Sequence, residues 1–321
     1  LARFRRSRLR ICALALPLVG IIALTGCAAT APGSIAVAPD TDPVENAFEH
    51  VHGLGADPLT GHTYAATHQG VWLIPTSVLP DTYLAGAPRA DTIQPVQIAG
   101  RAQDTMGFTV AAPGQLLASG HPDPAEQTDL DLPNLGLISS TDGASSWTAL
   151  SREGLTDFHD LDAVPLDDGS LRVYGYDAAA GEISVSDDSG LTWSSRAVLE
   201  LRDLSADPSQ ADHLYATTAS GLMMSIDAGR SFSPLAGAPA LLLVDTVSAD
   251  AGGGLVGLDP SGGIWRQDAE TWTQTGTTGR TPEAFTAVGG SSLWILVADA
   301  TGIAASDDYG VTWTAVVSLS S

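Results

Sequence analysis

An eight-residue pattern, Ser-x-Asp-x-Gly-x-Thr-Trp, recurs along this 321-residue chain and limits what it can fold into. It is complete at Ser186-Asp187-Asp188-Ser189-Gly190-Leu191-Thr192-Trp193 and again from Ser306 through Asp308, Gly310 and Thr312 to Trp313. Ser225-Ile226-Asp227-Ala228-Gly229-Arg230-Ser231-Phe232 carries conservative changes, and Ser140 to Trp147 has Ala144 at the Gly position. Gln267 to Trp272 is a shortened copy. The Asp positions 142, 188, 227, 268 and 308 are 46, 39, 41 and 40 residues apart. Such a step accommodates one four-stranded antiparallel unit, and repeated units of this kind stack to bury their faces. The 34 Gly and 19 Pro punctuate the chain too often for long helices. A second echo supports the period: Gly53-Leu54-Gly55-Ala56-Asp57-Pro58 returns as Asp203-Leu204-Ser205-Ala206-Asp207-Pro208.

The motif resembles the Asp-box, or BNR repeat, of sialidases, sortilin-type domains and photosystem-assembly propellers. That resemblance implies a turn between the two outer strands of each unit, with a structural role. Asp142, Asp188, Asp227 and Asp308 are expected to accept backbone N–H bonds, Gly to take a positive φ, and Trp147, Trp193, Phe232 and Trp313 to pack between units. Six units can be drawn, at residues 46–100, 101–152, 153–198, 199–238, 239–280 and 281–321, so the expected fold is an all-β, six-bladed β-propeller. A seventh blade would have to come from residues before 46, which are too few and too polar. The first unit lacks a box and carries a Pro-rich excursion from Pro75 to Pro95.

The N-terminus reads as an export signal. Arg3, Arg5, Arg6, Arg8 and Arg10 precede an uncharged run, Ile11 to Ala23, and Leu24-Thr25-Gly26-Cys27 follows. A basic region, a short apolar region and a small-residue cleavage site describe a signal peptide over residues 1–27. Leu-Thr-Gly-Cys resembles the bacterial lipobox, which implies a lipidated Cys27 and anchorage on the outer face of the cytoplasmic membrane. Residues 28–45 read as a flexible Ala/Pro-rich tether. From Cys27 onward nine Arg face 37 acids, a balance of −28, and there is no Lys. Such a body repels phosphate backbones, which excludes nucleic acid as a partner, and its field favours cations. The expected partners are the membrane, through the lipid, and a metal-handling or other envelope protein.

The histidines carry the functional signal. Aligning the starts of the innermost strands places His52-Gly53-Leu54, Met106-Gly107-Phe108, His159-Asp160-Leu161 and Arg202-Asp203-Leu204 in register. His50 precedes His52 by two, which in a regular strand puts both on one side. His68 and His121 fall in turns on the same face of the propeller, at the mouth of its central channel. His50, His52, His68, Met106, His121 and His159 are therefore the candidate metal ligands. Imidazole with thioether suits copper first and zinc second. Glu49, Asp123 and Asp160 are the expected acceptors for imidazole N–H groups. His62 and His213 belong to turns on the opposite face.

Two other functions compete. The resemblance to sialidases implies a glycoside hydrolase, for which Glu49, Asp157 and Asp160 are the acid or base candidates. The mature chain lacks that family's arginine cluster and its Phe-Arg-Ile-Pro motif. The assembly-factor branch implies a protein-docking scaffold. Gly252-Gly-Gly254-Leu-Val-Gly257 satisfies G-x-G-x-x-G but precedes no helix, so no nucleotide cofactor is expected. Asp129, Asp131, Asp167 and Asp168 lack calcium-loop spacing.

Overall fold

A computed structural model of the chain describes residues 50–89, 92–125, 133–289 and 292–319. Cys27, the tether, Glu49, Asp129 and Asp131 lie outside the described residues. Among the described residues, twenty-four strands form six four-stranded antiparallel sheets, each contiguous in sequence. Blade 1 holds β1 (Val51–Ala56), β2 (Thr63–Thr67), β3 (Gly70–Ile74) and β4 (Val96–Gln97). Blade 2 holds β5 (Asp104–Ala112), β6 (Gln115–His121), β7 (Leu137–Ser140) and β8 (Thr148–Ser151). Blade 3 holds β9 (Phe158–Pro165), β10 (Leu171–Asp177), β11 (Glu182–Ser186) and β12 (Ser194–Val198). Blade 4 is β13 (Asp203–Ala206), β14 (Leu214–Thr218), β15 (Gly221–Ser225) and β16 (Ser233–Pro234). Blade 5 is β17 (Leu243–Thr246), β18 (Leu255–Leu258), β19 (Gly263–Asp268) and β20 (Thr271–Thr277). Blade 6 is β21 (Ala284–Val288), β22 (Trp294–Asp299), β23 (Gly302–Ser306) and β24 (Thr314–Ser318). Contacts between neighbouring inner strands run β1–β5–β9–β13–β17–β21 and return to β1. The fold is a six-bladed β-propeller. Among the described residues no helix is long and apolar enough to cross a membrane.

The ring closes without exchanging strands between the first and last blades. Leu54, Ala65 and Ile74 of blade 1 share one apolar cluster with Ala284, Leu296, Ile303 and Val317 of blade 6. The Pro-rich excursion adds Leu79, Tyr83 and Leu84 to that seam. Tyr83 meets Trp294 edge-on at 5.6 Å, and its hydroxyl pairs with the buried Thr63 Oγ1 at 2.7 Å. Leu84 also lines the channel end opposite the histidines. The excursion is therefore a clasp on the closing seam.

The repeated turn explains its own sequence. In blade 3, Asp188 Oδ1 accepts the Thr192 N–H at 2.8 Å, and Asp188 Oδ2 accepts the Thr192 hydroxyl at 2.6 Å. Ser186 Oγ donates to Asp188 Oδ1 at 2.7 Å and accepts the Gly190 N–H at 2.8 Å. Asp142, Asp227 and Asp308 repeat the arrangement with Ser146, Ser231 and Thr312. The Thr192 bonds hold the Asp188 carboxyl down at about 2, and the Ser231 bonds do the same for Asp227. The box Gly takes a positive φ as expected, and its neighbour does too: Ser189 and Gly190 have φ 62° and 91°, and Gly143 and Ala144 have 69° and 67°. The first box thus tolerates Ala144 at some backbone strain while Gly143 relieves the preceding position. Each box aromatic reaches the preceding blade: the Trp193 indole N–H donates to Ser151 Oγ of blade 2 at 2.9 Å, while its ring lies 4.7 Å from Phe158 of its own blade. Trp147, Phe232 and Trp313 join the clusters between blades 1 and 2, 3 and 4, and 5 and 6.

Candidate metal site at the channel mouth

The inner strands are tied by side-chain bonds across blade boundaries. Asp160 Oδ2 accepts the Leu204 N–H at 2.6 Å, and Asp203 Oδ2 accepts the Val244 N–H at 2.6 Å. One rung deeper, Asp162 Oδ2 accepts from Ala206 at 2.7 Å, Ser205 Oγ from Thr246 at 3.0 Å and Asp245 Oδ2 from Ala287 at 2.7 Å. This ladder makes His159, Arg202, Leu242 and Glu283 equivalent positions, and strand pairing adds His52 and Met106. These six residues, one per blade, border a cavity of about 600 Å³ at the mouth.

Below the ring the lumen narrows to about 80 Å³ and is walled by Asp160, Asp162, Asp203 and Asp245. It widens again toward the opposite end, where Leu84 and Pro58 lie. Burial pushes the Asp160 carboxyl up to about 7. Burial and then the charge of Asp245 push Asp162 up to about 8. Burial also raises Asp203, with Asp160 adding to it, and raises Asp245.

A local irregularity aims the mouth residues. The β1–β2 register slips between Val51 and Gly53, the β5–β6 register between Thr105 and Gly107, and the β9–β10 register at the Tyr176/Asp177 step opposite His159. His52, Met106 and His159 are each the extra residue of a β-bulge. A bulge breaks strict alternation and re-aims a side chain. His50 and His52 are therefore not related by strict strand alternation, although their rings meet at a centroid distance of 4.8 Å. In blade 2 the bulge depends on Gly120, whose φ is 143° and where a Cβ would lie 1.9 Å from the Asp104 carbonyl oxygen.

Three ligand atoms converge there. His52 Nε2 lies 3.3 Å from His68 Nδ1, which lies 2.8 Å from Asp104 Oδ1, and each of the three residues offers a ligand atom within 4.8 Å of those of the other two. His68 comes from the β2–β3 turn, and Asp104 opens β5 directly opposite His121, which closes β6. Asp104 Oδ2 is 3.2 Å from His121 Nδ1. His121 Nε2 lies 3.5 Å from Asp157 Oδ2, which accepts from His159 Nε2 at 2.8 Å. Imidazole and carboxylate thus alternate from blade 1 to blade 3. His50 Nδ1 lies 3.5 Å from Glu283 Oε2, which also accepts the Val51 N–H at 3.2 Å.

Burial, then the charges of His68 and His50, lower His52 to about 3, so the ring is neutral at neutral pH and one of its two nitrogens carries a lone pair. The hydrogen bond to Asp157 raises His159 instead. His68 Nδ1 faces His52 Nε2 and Asp104 Oδ1 at once, yet one nitrogen holds a single proton. That proton sits where three lone pairs would otherwise meet.

His50, His52, His68, His121 and His159 all stand at this mouth. Met106 lines the same cavity. The carboxylate partners differ from expectation. Asp123 accepts the Ala102 and Ala125 N–H groups, and Asp160, which accepts the Leu204 N–H, walls the lumen. Asp104, Asp157 and Glu283 touch the imidazoles instead. The first two stand two residues before Met106 and His159, as His50 stands before His52, so the same alignment carried their signal. His62, in the β1–β2 turn, faces Tyr64 across 6.1 Å between ring centroids.

No family profile and no curated protein matches the chain. Among solved structures it is similar to a GH74 xyloglucanase from Xanthomonas campestris, at 18% identity and TM-score 0.51, covering 84% of this chain and 38% of that one. An auxiliary nutrient-binding protein from Bacteroides thetaiotaomicron aligns at 13% identity and TM-score 0.50, covering 77% of this chain and 66% of that one. YCF48 from Cyanidioschyzon merolae aligns at 12% identity and TM-score 0.44, covering 83% and 84%. The chain spans less than two fifths of the xyloglucanase's length. At these identities the likeness is one of fold. Fold and mouth together define the chain as a six-bladed propeller with a His/His/Asp cluster at one end of its channel.

Proposed function

We propose that this chain is an exported, lipid-anchored, non-catalytic propeller that captures a divalent transition-metal ion at its channel mouth on His52, His68 and Asp104. The observation that carries this reading is the convergence of three lone-pair donors on one point. Two ligands about 2.0–2.1 Å from a common ion lie about 3.3 Å apart at the tetrahedral angle and about 2.9 Å apart at a right angle. The separations of 3.3 Å and 2.8 Å match ligand edges of that kind. An ion replacing the shared proton uses all three lone pairs, and the neutral His52 needs no deprotonation before it binds.

A site of two imidazoles and one carboxylate is borderline in softness, and the Irving–Williams order puts Cu²⁺ ahead of Zn²⁺. The −28 balance beyond Cys27 draws cations toward the body. That acidity also accounts for a lipid on Cys27, since anionic headgroups would otherwise repel the domain. Sequestration or delivery of the metal to an envelope partner follows from a mouth that is open to solvent, with His68 side-chain exposure at 40%.

Calorimetric titration of Cu²⁺ and Zn²⁺ into the metal-stripped full-length chain tests the reading. Binding is expected at micromolar Kd or tighter, with at least about a tenfold loss in His52→Ala and in His68→Ala. Absence of binding by the intact chain overturns it.

A further inference from the structure

The cavity at the mouth is larger than a lone ion needs. His52 belongs both to the ligand trio and to the cavity wall, so an ion held there borders the cavity. Three protein donors leave a four-coordinate ion one position for a ligand from solution. At about 600 Å³ the cavity has the size of a small-molecule site.

Arg202 is the only arginine on this wall. It precedes β13 in blade 4, yet its Nη2 donates to the Glu283 carbonyl oxygen at 2.8 Å, just before blade 6. The side chain thus reaches past the Leu242 position of blade 5 and ends beside the neighbour of blade 1, which carries His52. Among the described residues this neutral acceptor is the guanidinium's one hydrogen-bond partner, and Arg202 forms no ion pair. Glu283 turns its carboxylate elsewhere, to the Val51 N–H and to His50 Nδ1. Asp160 and Asp203 feel the Arg202 charge, but burial outweighs it and raises both carboxyls, so they offset that charge only in part.

A guanidinium carries five N–H donors in a planar fork that matches a carboxylate. A free polyanion would be opposed by the −28 balance of the body. A carboxylate already bound to a divalent cation carries little net charge and escapes that opposition. Tyr176, Leu201, Leu242 and Pro282 add apolar wall for a carbon body.

We propose that the mouth takes its metal together with a small polycarboxylate, one carboxylate completing the coordination of the ion on His52, His68 and Asp104 and another lying on the Arg202 fork. This inference rests on the metal-binding reading above and adds the chemical class of the ligand that accompanies the ion.

The test is equilibrium dialysis of the full-length chain against Zn²⁺ and isotope-labelled citrate, with bound metal and bound citrate counted separately. The wild type is expected to bind one citrate per Zn²⁺, at least about tenfold more tightly with Zn²⁺ than without it. Arg202→Gln, at an exposed position, is expected to hold Zn²⁺ supplied as chloride with unchanged affinity and to lose at least about tenfold in citrate affinity. Unchanged Zn²⁺ affinity and thermal midpoint verify that the variant folds. Zn²⁺ that binds from chloride but is retained alone, or stripped, when citrate is present overturns this inference and leaves the metal-binding reading standing. No bound Zn²⁺ in either arm overturns both. Citrate that binds equally well without Zn²⁺, or undiminished in Arg202→Gln, overturns the bridging assignment. Inorganic phosphate that displaces citrate at equal concentration overturns the choice of carboxylate.

Discussion

Replacing Asp162 by Asn should invert the sign of its effect between acid and alkaline pH. Asp162 accepts the Ala206 N–H at 2.7 Å and the Ala163 N–H at 2.7 Å, in a lumen it shares with Asp160 and Asp245. Its carboxyl is pushed up to about 8, first by burial and then by the charge of Asp245. Below about pH 4 the group is protonated in both folded and unfolded chains. Between about pH 4 and pH 8 the unfolded chain ionises and the folded chain does not, so this contribution to stability falls as pH rises and is lost through pH 8. A rise of about four units corresponds to at most about 5–6 kcal/mol at about 1.36 kcal/mol per unit. Asp245 and Asp160 repel the same charge, so about half of it, 2–3 kcal/mol, is assigned to Asp162. Asn keeps one carbonyl oxygen for Ala206 and loses the acceptor for Ala163, which costs about 1 kcal/mol at every pH. The variant should therefore be less stable by about 1 kcal/mol at pH 4, where the group is still substantially protonated in the unfolded chain, and more stable by about 1–2 kcal/mol at pH 9. Urea midpoints at pH 4, 7 and 9, with unchanged m values, measure this directly. Asp250→Asn, at an exposed position outside the lumen, serves as the control. A constant offset across the three pH values, or a disadvantage that grows toward pH 9, refutes the reasoning.

Two further substitutions probe the frame that holds the mouth. Tyr83→Phe removes the partner of the fully buried Thr63 hydroxyl at the closing seam, and should lower stability by about 1–3 kcal/mol in a denaturant titration while leaving metal stoichiometry intact. Gly175→Ala would set a Cβ 2.6 Å and 2.7 Å from the Phe158 ring, which is buried and pressed on Trp193. Destabilisation of about 1–3 kcal/mol is expected in a denaturant titration.

Much of the architecture was legible in the residues because the repeated turn is local chemistry. Ser, Asp and Thr at fixed spacing satisfy one another within eight residues, so their pattern survives in the sequence at Asp142, Asp188, Asp227 and Asp308. The step between copies then counts the blades. The five mouth histidines were also legible, since strand starts and turns of one face recur at known points of each repeat. Asp157 is legible only as an acid or base candidate and Asp104 not at all, although both stand two residues upstream in the same alignment: a carboxylate before a strand is common, and only the fold puts these two beside imidazoles.

Other features depended on relations between distant segments. The bulges at His52, Met106 and His159 arise from pairing mismatches across two strands, and no single-strand pattern encodes them. The clasp of Tyr83 on Trp294 joins residues more than 200 positions apart, so a Pro-rich excursion alone gives no sign of where it lands. Local hydrogen bonding set the blades and their number. Closure of the ring, through the burial it imposes and the side chains it brings face to face, set which groups meet: it keeps His52 neutral, raises the lumen carboxyls and aligns two imidazole–carboxylate groups on either side of Asp104.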